Sequence, residues 1–153
     1  MGGIARILRN ECHRRSHRDM QQLSTYRWPV DPIPLASLSV RVDDLASRLG
    51  VTVSTWEVEG LGGARGMGCI SSSGYVYLLE ELQCSEQPEL AVYVDATLLA
   101  SLGVDVIVSE MVAEFGLDRA VILSLANSET ESFAAQQVAK FADWIAKKHT
   151  RSP

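Results

Sequence analysis

The period of the apolar positions changes several times along the chain, and each change marks an element. Val40-x-Val42 and Val51-x-Val53 bracket a run containing Leu45, Ala46 and Leu49, while Val92-x-Val94 and Val104-x-Val106 bracket a run containing Leu98, Leu99 and Leu102. A period of two reads as strand and a period of three to four as helix, so each stretch predicts strand, helix, strand. Each also holds an Asp able to accept helix amide hydrogens (Asp43, Asp95) and a Gly able to end a helix in the left-handed conformation (Gly50, Gly103). The stretches 40–53 and 92–106 align with one extra residue in the second, and strand-like sequence follows both, Gly74–Leu79 and Arg119–Leu125. The expectation is an α+β fold with a mainly antiparallel sheet built from two pseudo-repeated β-α-β-β units. Leu35, Leu38, Val42, Leu45 and Leu49 would also suit one longer helix, but the β-branched Val40 and Val42 favour the strand.

The last predicted element is a long C-terminal helix. Ser128 followed three residues later by Glu131 is a helix start, and Phe133, Gln137, Phe141, Trp144 and Ile145 make an aromatic face expected to pack on the sheet. Lys147, Lys148 and His149 close it where the helix dipole favours cations. At the other end, residues 4–24 predict a polar, arginine-rich helical arm. Trp28-Pro29-Val30-Asp31-Pro32-Ile33-Pro34 follows as a linker, because three prolines fix φ and extend the residues before them. Residues 1–34 thus read as a basic N-terminal arm and Pro-rich linker, and residues 35–153 as a single α+β domain. A length of 153 residues accommodates one domain and not two.

Charge alters this picture. The chain carries a net charge of −5, yet residues 1–27 hold six arginines against two acids, a net +4, so the remainder stands at −9. An acidic body repels phosphate backbones and favours basic partners, so nucleic acid is not an expected partner. No window is apolar enough for a membrane span and no signal-type stretch follows the first arginines; a cytoplasmic protein is the expectation. Cys12, Cys69 and Cys84 are too widely spaced for a disulfide framework, and reduced thiols are expected.

Chemistry-bearing motifs are few. Gly60–Cys69 is glycine-rich, but Arg65 stands where a dinucleotide fingerprint needs glycine and no Gly-Lys-Ser/Thr follows, so a hairpin connection is the reading. Arg65 at its centre is a candidate contact for an anionic ligand. His13 and His17 form a helical i, i+4 pair among arginines that oppose a cation; no metal and no cofactor are expected. With no histidine in the body, neither a Ser-His-Asp nor a Cys-His set assembles, and no catalytic residue is assigned. Carboxylates remain: Glu57 and Glu59 alternate on one predicted strand, Glu80 and Glu81 end the next, and Glu86 and Glu89 follow. These six make the candidate surface for a basic protein partner.

Two resemblances bear on the body. Val42–Glu57 resembles repressor-type helix-turn-helix sequences, but its second helix would hold Val51, Thr52, Val53 and no basic residue. Residues 74–126 resemble the second half of vicinal oxygen chelate proteins through Tyr75–Glu80, Leu90–Asp95, Leu102-Gly103-Val104 and Phe115–Arg119. That resemblance implies paired β-α-β-β-β modules and, as the family's metal-binding histidines have no counterpart, a metal-free ligand-sequestering protein. The negative net charge, the acidic body and the lack of an assembled catalytic set give as the reading a non-catalytic binding protein of acidic immunity or antitoxin type that neutralises a basic partner. The alternative is a small-molecule-binding protein with a groove lined by Trp56, Tyr75, Tyr77, Tyr93 and Arg65. Monomer and homodimer both stay open, with an edge strand and the aromatic helix face as the two dimer surfaces.

Overall fold

The computed structural model describes residues 21–23, 32–58, 62–82 and 86–150, with positions 21–23, 56–58, 62 and 82 described by their backbone. The elements run β1 (Gln21–Leu23), β2 (Ile33–Leu38), α1 (Val42–Leu49), β3 (Ser54–Val58), β4 (Gly62–Ile70), β5 (Val76–Leu82), β6 (Leu90–Val94), α2 (Ala96–Leu102), α3 (Val104–Phe115), β7 (Ile122–Leu125) and α4 (Ser128–Thr150). The fold is α+β. The described strands form one sheet in the order β4-β5-β6-β2-β7, every pair antiparallel, with β1 and β3 end to end along the outer edge of β4. Gln21–Leu23, expected in the helical arm, form strand β1, and Ile33 and Pro34, expected in the linker, belong to β2; the rest of the predicted arm up to residue 31 lies outside the described residues.

Register divides the sheet into two faces. Cys69, Tyr77 and Val94 stand in one row and Met67, Leu79 and Val92 in the next, all buried beneath α1 and α3 through Leu45, Ile107, Met111 and Phe115. Between these rows run Gly68, Leu78, Tyr93 and Pro34 on the second face, and Gly66, Glu80, Ala91 and Ser37 follow. β2 tolerates a proline because β7 pairs only with Ala36–Leu38. At Pro34 the strand has no β7 neighbour, and the register shift at Leu35 lies beside it, the two settings in which a sheet accepts a residue without an N–H.

The repeat is not confirmed. Val42 opens α1 instead of ending a strand, Val51–Val53 is irregular, and Val104–Val106 begins α3. In that last case the apolar spacing Val104, Ile107, Val108, Met111, Phe115 buries a helical stripe that outweighs β-branching. The glycine-rich segment is also corrected, from hairpin connection to strand β4. Its small residues suit a strand paired along both edges. β3 occupies the position where a helix-turn-helix would place its recognition helix.

Helix ends account for four of the acids. Asp95 accepts from Thr97 N–H (2.8 Å), and Asp118 accepts from Ala120 N–H (2.9 Å) in a single 3-10 turn. At α4 the cap is Asn127, not Ser128: its Oδ1 accepts from the amides of Glu129 and Thr130 at 3.0 and 3.2 Å. α1 and α3 have no side-chain cap of their own. Remote carboxylates serve them instead, Glu81 Oε2 accepting from Val42 N–H and Glu131 Oε1 from Val104 N–H, both at 2.8 Å. Between α2 and α3 the chain bends by 111° at Gly103, whose φ of +81° suits glycine. Gly116 ends α3 at φ +62°; Arg48 Nη2 donates to the carbonyls of Phe115 and Gly116 there and would stand 3.1 Å from an added Cβ. α4 packs chiefly on α2 and not on the sheet face expected for it. Among the described residues, no single helix is long and apolar enough to cross a membrane.

Candidate binding groove

A groove of about 580 Å³ opens where β2 and β7 meet the first half of α4. Pro32 and Ile33–Ser37 of β2 form one wall, Glu129, Thr130, Phe133 and Gln137 of α4 the other, with Ala91 and Ser124–Ala126 completing it. The local sequence accounts for the shape. β7 is only four residues long, and Asn127 starts α4 two residues after β7 ends, so the helix rises directly beside the strand that leads into it. Phe133 projects from that wall 52% exposed, and Leu125 at the strand end is 44% exposed. Glu129 is exposed in the helical wall, and next to the groove Glu89 accepts a 2.6 Å hydrogen bond from Ser37 Oγ of the lining. Among the described residues its lining has no Cys, His, Lys or Arg and one carboxylate, that of Glu129. Its chemistry is apolar contact with an acidic margin.

The six candidate glutamates are not brought together. Glu80 stands on the second sheet face while Glu81 points to the first and caps α1. Glu89 holds Ser37, and Glu86 is exposed in the loop before β6. Glu57 lies in β3 where only the backbone is described, and Glu59 falls outside the described residues.

The candidate ligand residues are likewise dispersed. Tyr77 is buried on the inner face, Tyr93 is on the second face, and Tyr75 lines a separate hollow of about 480 Å³ with Val76, Leu98 and Leu102. Burial, then the charge of Glu80, raises the Tyr93 hydroxyl above its ordinary pKa. Arg65 is committed to Asp43, with N–O distances of 2.7 and 2.5 Å. That bidentate contact holds the Asp43 carboxyl below its usual value and Arg65 above its own. Trp56 lies in β3, described by its backbone.

One polar cluster lies inside the core. Tyr77 Oη donates to Glu110 Oε2 and lies 3.5 Å from the Ile107 carbonyl, while its ring meets Phe115 edge-on at 5.1 Å. Glu110 Oε1 is buried without a hydrogen-bond partner among the described residues. One turn on, Glu114 accepts from the amide and hydroxyl of Ser72 in the β4–β5 turn, so α3 grips the sheet through two carboxylates. Burial first, then the Glu110 hydrogen bond, drives the Tyr77 pKa upward. Cys69 beside it is pushed up to about 12 by burial and the Glu110 charge, which leaves the thiol protonated and inert. No group of His, Cys, Asp and Glu suited to a metal occurs among the described residues.

The groove's own residues were not singled out in the sequence. Phe133 reads as one more member of an amphipathic helix face, and only the two leucines of a four-residue strand, Leu123 and Leu125, both exposed, distinguish the place. Compared with protein-family models, curated proteins and solved structures, the chain gives no significant match.

Proposed function

We propose that the protein is a non-catalytic binding protein whose docking site is the groove between β2, β7 and α4. The partner is a protein segment that places a large apolar side chain against Phe133 and Leu125 and a basic residue near Glu89 or Glu129. The observation that carries this reading is the exposed phenylalanine in a groove whose lining, among the described residues, has Glu129 as its one ionisable side chain. Apolar concavities with a few polar rim groups are the usual form of recognition sites. The net −9 beyond residue 27 would steer a basic partner toward the body. Neutralisation of a basic toxin, as immunity proteins and antitoxins perform it, is one form of this role.

The test is co-precipitation of the tagged chain from its native host at low and high salt, run beside Phe133→Asp and Glu129→Lys. A partner retained at low salt, weakened by salt and by Glu129→Lys and lost with Phe133→Asp is the expected result. A partner indifferent to both substitutions would overturn it. A volume of about 580 Å³ also lies in the range of small-molecule sites. For that second reading, a ligand should raise the melting temperature of the parent chain and not of Phe133→Asp.

A further inference from the structure

The outer wall of the groove belongs to a longer stripe on α4. Glu129, Phe133, Gln137, Lys140, Trp144 and Lys148 recur at intervals of four, four, three, four and four residues. At 100° per residue they fall within a ~100° arc of the helix. The side turned toward the core carries Ala134, Val138 and Phe141, centred about 100° further round. The helix thus carries, beside its core-facing apolar stripe, a polar outward one interrupted by two aromatics, Phe133 and Trp144, which stand 52% and 55% exposed. Trp144 is held in place: Phe141 stacks on it at 5.9 Å and the Lys148 ammonium lies 5.0 Å from its ring centre. An aromatic fixed in this way loses little freedom on binding.

The stripe is complementary to itself. It begins with the acidic Glu129 and ends with the basic Lys148, with Lys147 beside it. We propose that a second copy of this chain docks along this stripe, α4 against α4 in antiparallel orientation about a two-fold axis. With the axis between Val138 and Ala139, Glu129 faces the second copy's Lys148, Phe133 faces its Trp144, and Gln137 faces its Lys140, each pair occurring twice. The two helix dipoles oppose and each acidic start meets a basic end, favourable arrangements in an isologous contact. A parallel pair would set Glu129 against Glu129 and Lys148 against Lys148, which like-charge repulsion disfavours. The inference rests on reading the groove as a protein-docking surface, and it names the first basic segment to reach it: the end of this chain's own final helix.

The test is the mass of the full chain by light scattering and sedimentation. The expected species is a dimer of about 33 kDa, twice 16.7 kDa, at roughly 10–100 µM. Trp144→Glu should give the monomer with helix content unchanged. Glu129→Lys and Lys148→Glu should each weaken the dimer by roughly tenfold or more. The double variant Glu129→Lys/Lys148→Glu, which restores opposite charges, should recover it. A parent chain that is monomeric throughout this range overturns the inference, as does a dimer insensitive to Trp144→Glu and the charge swap. Trp144 and Lys148 do not line the groove. A monomeric parent that still captures a Phe133-dependent partner would therefore remove the second copy and leave the groove reading intact.

Discussion

Two regions of the molecule break the ordinary rule of burial in opposite directions. Beneath the sheet, Tyr77 and Glu110 bury polar atoms beside Cys69, Phe115 and Ile107, with one carboxylate oxygen unpaired among the described residues. On α4, Phe133 and Trp144 leave aromatic rings more than half exposed. The buried pair finds its partner within the chain and joins α3 to β5. The exposed pair finds only part of its contact there, where Trp144 stacks on Phe141 and lies under the Lys148 ammonium. An inward polar exception is consumed by stability, whereas an outward apolar exception is available for association.

That contrast is easiest to break at Tyr77. Tyr77→Ala should cost about 3–5 kcal/mol in urea unfolding, the usual loss for a buried aromatic. Tyr77→Phe removes only the hydroxyl and should cost about 1–3 kcal/mol, because Glu110 then stays buried without its donor. Tyr77→Phe combined with Glu110→Met should recover most of that loss; a further loss would show that the carboxylate has another role. In the same region, Cys69 should resist thiol reagents at pH 8 in the native state and react on unfolding, since burial lifts it to about 12.

The remote caps give the next effect. Glu81→Ala and Glu131→Ala should each lower stability by about 1 kcal/mol and add in combination, as independent helix caps do. A smaller effect is expected at the exposed Asp43–Arg65 pair. Asp43 is held below its usual value, so its contribution is present above the unfolded-state pKa and is lost as the pH falls through the folded one. Asp43→Asn should flatten this acid limb of the melting curve, and added salt should reduce the difference. The smallest stability change belongs to Phe133→Ser, within about 0.5 kcal/mol, paired with the largest loss of partner binding. A marked drop in its melting temperature would place Phe133 with Tyr77 instead of opposite to it.

The sequence disclosed what local chemistry decides. Asp95 two residues before Thr97, the alternation Leu90, Val92, Val94 and the terminal helix from Ser128 are all contained within a turn or a strand, and each is found in place. What depends on distant neighbours was not visible. Glu81 and Glu131 look like surface acids until the chain brings them to Val42 and Val104. The glycines of β4 look like a loop until strands on both sides are known. Arg65 looks available until Asp43, 22 residues earlier, claims it. The groove was hidden for the same reason, because Phe133 and Pro34 are about a hundred residues apart and nothing local links them.

The distant caps also bear on how the chain acquires its shape during synthesis. Val42 is made 39 residues before the carboxylate that closes α1, and Val104 27 residues before the one that closes α3. A nascent chain, emerging N-terminus first, therefore presents two unfinished helices in succession. The first is completed when β5 arrives and the second only with the opening turn of the terminal helix. A message truncated just before Ser128 would release a polypeptide with every described strand made and α3 still lacking its closure, a natural substrate for quality control.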